Sequence, residues 1–432
     1  MSAESRIGII GLGYVGLPLS LNFAEAGAAV IGFDIDVRKV EQLNAKQSFI
    51  LHIASSRIAA TVDAGLFGAT SDFSRIRDCH AVIICVPTPL GKHREPDISY
   101  IINTGKAMAP YLQRGTVVIL ESTTYPGTTD TDLRAVLEEG SGLKAGTDFH
   151  LAFSPEREDP GNPQSNVKDI PKVIGGYTPA CLEKAKAVYG LAIKTLVSVE
   201  SCRVAEAVKL TENIFRAVNI AMVNELKVVY EAMGIDIWDV IAAAKTKPFG
   251  FMPFYPGPGL GGHCIPIDPF YLTWKAREYG QETRFIELAG EVNTAMPAYV
   301  IKRCTEALAG TGRSVNGSRV LLLGIAYKPN VDDDRESPSY VLWEMLEAAG
   351  ASVEYFDPHV PVIRPSREHG HFAGRKSVTL DAATVQGYDL VLLSTHHKAI
   401  DYALVAANAK LIVDTRNAFA GQTLPAGRYF KA

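Results

Sequence analysis

Apolar and polar positions alternate in a regular pattern over the first 200 residues of this 432-residue chain. Short apolar runs occur at 7–10, 29–33, 81–86 and 117–120, and segments with helical spacing of apolar residues separate them. Runs of this length, bounded by polar or Pro-rich turns, predict buried strands. Strands that alternate with helices predict a parallel sheet covered on both faces. We therefore assign residues 1–200 to one doubly wound, Rossmann-like α/β domain.

A long helix is predicted over residues 202–233, where apolar residues keep helical spacing and neither Pro nor Gly occurs. This length is far above the average for helices in globular proteins. The apolar positions cover more than the stripe that one packed face requires, so several faces must be buried. A symmetry-related copy is the commonest way to bury an additional face. We therefore predict a central helical dimerisation domain at 201–305 and a homodimer or higher homo-oligomer.

The α/β pattern restarts after a Gly- and Ser-rich stretch near residue 310. A helix is predicted at 339–349, and strands are predicted at 319–324, 352–356, 390–393 and 411–413. We assign residues 306–432 to a second Rossmann-like domain, joined to the first by the long central helix. Because this domain lacks a glycine fingerprint, we expect it to bind something other than a full dinucleotide.

A dinucleotide-binding fingerprint follows the first predicted strand directly. Its residues are Gly11, Leu12, Gly13, Tyr14, Val15 and Gly16. The first glycine permits the tight turn, the second lets the backbone approach a pyrophosphate, and the third lets the helix pack on the strand. The second strand ends at Asp34, whose carboxylate suits the adenosine ribose hydroxyls and repels a 2′-phosphate. The pattern predicts NAD rather than NADP, although Arg38 and Lys39 weaken that exclusion.

Composition and charge limit the remaining function classes. Apolar residues make up 47% of the chain and charged residues 21%, as in an ordinary globular protein. The net charge of −4 argues against a general polyanion binder, so no nucleic-acid partner is expected. No signal-like segment or membrane-length apolar run occurs. The six cysteines lack CxxC spacing, which favours reduced thiols, no metal site and a cytoplasmic location.

Polar clusters follow several predicted strands of the first domain. They are Val-Pro-Thr-Pro at 86–89, Glu-Ser-Thr-Thr at 121–124 and Phe-Ser-Pro-Glu-Arg at 153–157. Open α/β sheets bind ligands at the carboxyl ends of their strands, so these clusters are expected to meet there. Lys209 and Asn213 on the long helix are four residues apart and share one face. They could form a solvated surface pair, but their apolar surroundings favour burial toward a ligand.

Cys264 lies in Gly-Leu-Gly-Gly-His-Cys-Ile-Pro-Ile-Asp-Pro at 259–269. A thiolate beside NAD could add to an aldehyde and present a thiohemiacetal for a second oxidation, and the resulting thioester would hydrolyse to an acid. The alternative is a buried, inert cysteine. His263 beside Cys264 leaves a Cys/His dyad or a metal site as a further alternative, which is disfavoured because adjacent residues of an extended chain point to opposite sides.

The segment 248–262, just before Cys264, is dense in Pro, Gly and aromatic residues. It could be a simple irregular connection, but long loops inside compact domains are usually binding loops. Its glycines would let backbone N–H groups reach a diphosphate. We therefore interpret this segment as a ligand-binding loop.

Taken together, these motifs resemble the UDP-glucose/GDP-mannose 6-dehydrogenase family. The resemblance runs from Gly8 to beyond Arg416 and includes the glycine fingerprint, Pro-Thr-Pro, Glu-Ser-Thr, Ser-Pro-Glu-Arg and Gly-Gly-His-Cys. Lys328-Pro and the Asp-Asp-Arg-Glu-Ser run at 333–337 also match. The family's NAD-dependent enzymes oxidise the C6 alcohol of a nucleotide sugar to a carboxylate. The resemblance therefore implies this activity and NAD as the cofactor.

The resemblance also implies roles for individual residues. Cys264 corresponds to the nucleophile that forms the thiohemiacetal and thioester. Lys209 and Asn213 would stabilise its oxyanion, because fixed donors are needed where charge develops. Asp268 corresponds to the carboxylate that works with Lys209 on a water and on proton transfer.

Further roles are implied by the same resemblance. Glu156 corresponds to the base in thioester hydrolysis, and Thr123 to the hydroxyl that positions the water. The implied NAD contacts are Gly11 to Gly16, Asp34, Lys39, Thr88, Thr123 and Arg335. The implied nucleotide-sugar contacts are Glu156, Lys209, Asn213, Tyr255, Gly257, Gly261, Tyr327, Lys328 and Arg416.

One departure from the family pattern bears on the sugar. UDP-glucose members supply an Arg from the partner subunit before the cysteine loop, whereas this chain has no Arg between Arg216 and Arg277. The amino-acid sequence of residues 249–257 instead resembles that of the UDP-N-acetylglucosamine branch of the family. The enzymes of that branch supply surface polysaccharide and O-antigen synthesis. UDP-ManNAc, UDP-GalNAc and UDP-glucose are the alternative sugars. A single-step hydroxyacid dehydrogenase and a non-catalytic sensor are the alternative functions.

Overall fold

The computed structural model describes residues 6–50, 53–91, 95–157, 170–262, 265–366 and 368–432. The chain divides into two compact units. The first contains residues up to Asn213 together with Ile267–Glu282, and the second contains Ile214–Pro266 together with Thr283–Ala432.

The first unit is built on an eight-stranded sheet with the strand order β3-β2-β1-β4-β5-β6-β7-β8. Its strands are β1 Arg6–Ile10, β2 Ala29–Phe33, β3 Phe67–Thr70, β4 Ala81–Ile84, β5 Val117–Leu120, β6 His150–Phe153, β7 Lys172–Gly176 and β8 Leu196–Val199. Its helices are α1 Gly16–Glu25, α2 Val37–Asn44, α3 Ser55–Asp63, α4 Ser99–Met108, α5 Arg134–Ser141, α6 Pro179–Tyr189, the start of α7 Cys202–Ala232, and α9 Asp268–Glu278.

The second unit is built on a five-stranded parallel sheet with the order β10-β9-β11-β12-β13. Its strands are β9 Arg319–Leu323, β10 Ser352–Phe356, β11 Leu390–Leu393, β12 Ile412–Asp414 and β13 Tyr429–Lys431. Its helices are the rest of α7, α8 Ile237–Ala244, α10 Arg284–Ala309, α11 Pro338–Ala348, α12 Ala382–Gln386 and α13 Tyr402–Asn408.

Each sheet is buried on both faces. Along β4 and β5, Ile83 and Ile119 belong to one apolar cluster, whereas Val82 and Val118 belong to another. Successive strand residues point to opposite faces, so this alternation places a core on each side of the sheet. The second sheet repeats the arrangement with two clusters of its own. The predicted class of two Rossmann-like units and a long central helix is confirmed.

One pair of strands breaks the parallel pattern of the first sheet. β7 runs antiparallel to β6, with Phe153 opposite Gly175 and Ala152 opposite Gly176. The start of β7 therefore lies beside the end of β6, where Glu156 follows. The sequence pattern did not indicate this reversal. Among the helices of the described residues, none combines the length and apolarity needed to cross a membrane.

Candidate active site

The turn between β1 and α1 requires glycine. Gly11 has a φ of 93°, and its N–H donates to the Phe33 carbonyl at 2.8 Å. A Cβ at this position would lie 2.7 Å from the Cys85 carbonyl oxygen. The first turn of α1 begins at Gly16, where a Cβ would overlap the Gly11 carbonyl. The backbone therefore closes tightly and leaves the N–H groups at the start of α1 for an anion.

The fingerprint and Asp34 fit an NAD site. No atom lies within 4 Å of a Cβ built on Gly13, so a ligand can approach the backbone there. The Asp34 carboxylate accepts the Leu12 N–H at 3.0 Å and the Asp36 N–H at 2.9 Å, and the Lys39 Nζ lies 3.6 Å away. A carboxylate has about four acceptor positions, so Asp34 keeps capacity for ribose hydroxyls.

Thr88 and Thr123 meet after the ends of β4 and β5. The Thr88 hydroxyl donates to the Thr123 carbonyl at 2.6 Å. The Tyr271 hydroxyl of α9 donates to the Thr88 carbonyl. These bonds hold α9 at the carboxyl ends of the first sheet, the edge where the predicted polar clusters were expected to meet.

Lys209, Asn213 and Asp268 form a buried cluster in the first unit. Asp268 is the first residue of α9 and is 3% exposed, while Lys209 on α7 is 9% exposed. The Asn213 amide donates to the Asp268 carboxylate. Burial raises the pKa of Asp268 to about 7, against the opposing effects of the Lys209 charge and the Asn213 hydrogen bond. Asp268 can therefore take up or release a proton near neutral pH.

The Lys209 amine is available to a ligand. Within the described parts of the chain, its side chain has no hydrogen bond and no ion pair within 4 Å. The Lys209 charge acts on Asp268, and a cation at this position can stabilise an anion or a developing oxyanion. The Asn213 amide lies one helical turn away and supplies a second N–H donor on the same face.

Glu156 belongs to a charged network that the sequence analysis missed. The Lys172 Nζ donates to Glu156 Oε2 at 3.2 Å and to Glu121 Oε1. The Tyr189 hydroxyl donates to the other Glu121 oxygen. Burial raises the pKa of Glu121 to about 8. The available signal was a lysine at the start of an otherwise apolar strand, in Lys-Val-Ile-Gly-Gly at 172–176.

Cys264 lies outside the described residues. The other five predicted catalytic residues all belong to the first unit, where they follow strand ends or lie on α7 and α9. Among the described residues, no group of His, Cys, Asp and Glu side chains is arranged to hold a metal ion.

Several predicted nucleotide-sugar contacts lie together in the second unit. Arg416 follows β12, and its Nε donates to the Ser394 carbonyl at 2.9 Å. Burial lowers the pKa of Arg416 to about 10. A Cβ on Gly257 would overlap the Arg416 guanidinium, and one on Gly261 would lie 2.9 Å from the Tyr327 side chain. The glycine loop therefore lies against residues that follow strands of the second sheet.

Three other predicted contacts are also in the second unit. The Tyr255 ring stacks on Trp238 with 5.7 Å between ring centroids. The Lys328 Nζ lies 5.8 Å from the centroid of the Tyr327 ring. Arg335, the predicted NAD contact, forms an ion pair with Asp333 at 2.6 Å. The binding role of each remains a prediction.

Three sequence profiles of the UDP-glucose/GDP-mannose dehydrogenase family match the chain. The NAD-binding domain matches residues 5–193, the central domain 203–295, and the UDP-binding domain 321–421. The chain belongs to this family. Its membership confirms the predicted family and NAD as the cofactor, and it makes the chain an NAD-dependent UDP-sugar dehydrogenase.

Relatives within the family carry the names of different sugars. UDP-N-acetyl-D-glucosamine 6-dehydrogenase of Pseudomonas aeruginosa is 36% identical over 368 residues, 85% of this chain and 86% of that protein. NDP-N-acetyl-D-galactosaminuronic acid dehydrogenase of Ralstonia solanacearum is 33% identical over 428 residues, 97% of each chain. The solved UDP-D-ManNAc dehydrogenase of Pyrococcus horikoshii superimposes with a TM-score of 0.88 at 30% identity, covering 99% of this chain and 98% of that one.

Proposed function

We propose that the chain oxidises the C6 alcohol of UDP-N-acetylglucosamine to the uronic acid through a covalent intermediate on Cys264. The buried cluster of Lys209, Asn213 and Asp268 at the carboxyl ends of the first sheet carries this proposal. It combines two N–H donors with a carboxyl group that titrates near neutral pH. We assign the enzyme to the cytoplasm and to surface polysaccharide synthesis.

NAD bound at the fingerprint and Asp34 supplies the electron acceptor for both oxidations. In the first, the Asp268 carboxylate takes the proton of the C6 hydroxyl. The Cys264 thiolate then forms a C–S bond to the aldehyde carbon, and the N–H groups of Lys209 and Asn213 hold the resulting oxyanion. The second oxidation converts this thiohemiacetal to a thioester.

Hydrolysis completes the reaction. The Glu156 carboxylate takes a proton from a water that Thr123 positions, and the water oxygen bonds to the thioester carbon. The C–S bond then breaks, which releases the acid and returns the Cys264 thiolate. Glu156 and Thr123 follow β6 and β5, neighbouring strands of the first sheet.

The choice of sugar is supported by two observations. The amino-acid sequence of residues 249–257 resembles that of the UDP-N-acetylglucosamine branch of the family. A relative named UDP-N-acetyl-D-glucosamine 6-dehydrogenase is 36% identical to this chain. A panel of UDP-GlcNAc, UDP-ManNAc, UDP-GalNAc and UDP-glucose tests it through kcat/KM. We expect UDP-GlcNAc to be preferred and two NADH to form per sugar. One NADH per substrate would support a single-step dehydrogenase, and no turnover would support a sensor.

Cys264→Ala is expected to abolish acid formation, because the second oxidation needs the covalent adduct. Cys264→Ser should trap an ester that intact-mass analysis detects, since an alkoxide leaves less readily than a thiolate. Cys79→Ala is the matched control: burial raises the pKa of the Cys79 thiol to about 12, so this thiol is not nucleophilic at neutral pH. Full acid production by Cys264→Ala would defeat the thioester mechanism.

We also propose a homodimer built on α7. In the second unit, Phe215, Met222 and Val229 repeat every seven residues on one side of the helix and are 46–47% exposed. Such an apolar stripe suits a symmetry-related copy. Light scattering at micromolar protein should give a dimer, and Met222→Glu should shift it toward monomer by opposing like charges. A fully active wild-type monomer would contradict the proposal.

A further inference from the structure

Lys172 connects two buried carboxyl groups in the first unit. Its Nζ donates to Glu156 Oε2 at 3.2 Å and to Glu121 Oε1, and both Lys172 and Glu121 are buried. The second Glu121 oxygen accepts the Tyr189 hydroxyl. One ammonium group therefore serves two carboxyl groups, of which only Glu156 has a role in the proposed reaction.

The reversal of β7 creates this arrangement. Phe153 lies opposite Gly175 in the antiparallel pairing of β6 and β7. Continuing that register by three residues brings Glu156 opposite Lys172. β5 lies on the other side of β6 and runs parallel to it, with Leu120 beside Phe153. Glu121, the residue after Leu120, therefore lies beside the loop that contains Glu156. A parallel β7 would have carried Lys172 to the other edge of the sheet.

Arg157, a further charged residue beside the network in the described part of the chain, is engaged elsewhere. Arg157 follows Glu156 directly, but its guanidinium binds Glu212 of α7 at 2.6 Å and the Pro171 carbonyl at 2.8 Å. Among the described residues, the titratable groups recorded beside Glu156 or connected to it through Lys172 and Glu121 come from the end of β5, from β7, from its own loop and from α6. They are Glu121, Lys172, Arg157 and Tyr189.

We propose that Lys172 is a positioning residue for Glu156, holding its carboxylate ionised and oriented for thioester hydrolysis, and that Glu121 tunes Lys172 by competing for the same ammonium group. This inference rests on the proposed role of Glu156 as the base. A buried ion pair stabilises a fold little compared with apolar residues of similar size. Its placement beside Glu156 therefore favours a role in the reaction over one in stability.

The two partners should move the pH dependence in opposite directions. Lys172→Met removes the cation that favours ionised Glu156. The acidic limb of the hydrolysis rate, measured on the acyl-enzyme formed from UDP-GlcNAc, should therefore move up by about one pH unit or more. Glu121→Gln replaces the carboxyl group that competes for the Lys172 ammonium with a weaker, neutral acceptor and leaves Lys172 to Glu156, so the limb should move down. Lys172→Arg keeps the charge and should restore most of the wild-type profile.

Three controls separate positioning from folding. Lys186→Met removes a surface lysine that pairs with Glu183 at 2.8 Å on α6, and it should leave the profile unchanged. If Lys172→Met does not fold, the double variant with Glu121→Gln removes the buried pair together, and Glu121→Gln alone still gives its downward shift. Counting NADH per sugar in the wild type tests the proposed function separately.

The proposal is overturned if Lys172→Met and Glu121→Gln lower Tm while the acidic limb stays in place, or if both move it in the same direction. Slower hydrolysis in Lys172→Met should also let the acyl-enzyme accumulate, and intact-mass analysis would detect it. If the wild type forms two NADH per sugar but the acidic limb does not move in either variant, the positioning role is rejected and the proposed function still holds.

Discussion

The two sheets share the turn after their first strand and differ in the groups around that turn. In the first sheet, Gly11 has a φ of 93° and donates to the Phe33 carbonyl at 2.8 Å. In the second, Gly324 has a φ of 84° and donates to the Phe356 carbonyl at 2.9 Å. A Cβ on Gly324 would overlap the Thr395 carbonyl after β11, as one on Gly11 would crowd the carbonyl after β4. The backbone of this turn therefore has the same conformation and the same hydrogen bond in both sheets.

The acid at the end of the second strand shows the difference. Asp34 accepts two backbone N–H groups and keeps acceptor capacity. Asp357, at the corresponding place, accepts His397 Nε2 at 3.0 Å and four backbone N–H groups. The backbone donors to Asp357 are Ile325, Ala326, His359 and Val360. One carboxylate is available to a ligand, whereas the protein itself uses the other.

The position of the helix that follows the turn also differs between the two sheets. α1 begins at Gly16, directly after the first turn, whereas α11 begins at Pro338, well beyond Gly324. The second unit therefore does not present helix N–H groups immediately after its turn. The second turn therefore lacks both features that suit the first to a dinucleotide, a strand-end acid with free acceptor capacity and a helix that begins directly after the turn.

The largest expected effect concerns stability. Asp357→Ala leaves several buried donors without an acceptor, and we expect a loss of about 4 kcal/mol or more. Asp34→Ala removes an acid with fewer internal bonds and should cost about 1 kcal/mol. Amide exchange of the strands in each sheet, followed by mass spectrometry, measures both losses. Equal losses would remove the distinction between a structural and a ligand-facing acid.

A smaller effect should appear in the pH dependence of stability. The pKa of Asp268 is raised to about 7, so its contribution is full below its ordinary value of 3.8 and is lost as pH rises through 7. Burial alone would raise the pKa of Asp357, but its bond with His397 and the backbone donors lower it, so its contribution is constant above 3.8.

Asp268→Asn should therefore gain about 3 kcal/mol relative to wild type between pH 5 and 8. Asp357→Asn should show a constant difference from wild type over the same range. Denaturant unfolding at several pH values compares the two variants. A flat Asp268→Asn difference would mean that this carboxyl group is already ionised at pH 5.

The smallest expected effect is on cofactor choice. Asp34→Ala should lower the preference for NAD over NADP by roughly 2 kcal/mol, about thirtyfold in kcat/KM, because a 2′-phosphate no longer meets a carboxylate. Asp36→Asn is the control, since it removes a nearby charge that pairs with Arg38 on the surface. Similar shifts in both variants would point to the general field rather than to a contact by Asp34.

Local patterns predicted much of this molecule. The fingerprint strand, the strand ending at Asp34 and the helix over 202–233 correspond to β1, β2 and α7, which ends at Ala232. Each of these elements could be predicted from neighbouring residues, because the spacing of apolar residues and the residue types of turns are local properties of the sequence. The polar clusters after strands could likewise be placed, since parallel strands end at one edge of a sheet.

Lys172 and Asp357 could not be interpreted from local sequence. Lys172 contacts Glu121, which is 51 residues earlier, and only the reversal of β7 brings them together. Asp357 follows a strand as Asp34 does. Its carboxylate is hydrogen-bonded to His397, which lies 40 residues later in the chain. A charge within a strand indicates an exposed edge unless a distant partner is known, so only the folded contacts reveal its role.

The discontinuity of the first unit has a consequence for biosynthesis. The last strand of its sheet ends at Val199 and its first segment ends at Asn213, but α9, which binds Asn213 and Thr88, begins 55 residues after Asn213. At about 5–20 residues per second, the ribosome needs several seconds to supply it. Nascent chains stalled shortly after Asn213 should therefore expose the strand ends to proteases, and chains long enough to release α9 from the exit tunnel should be protected.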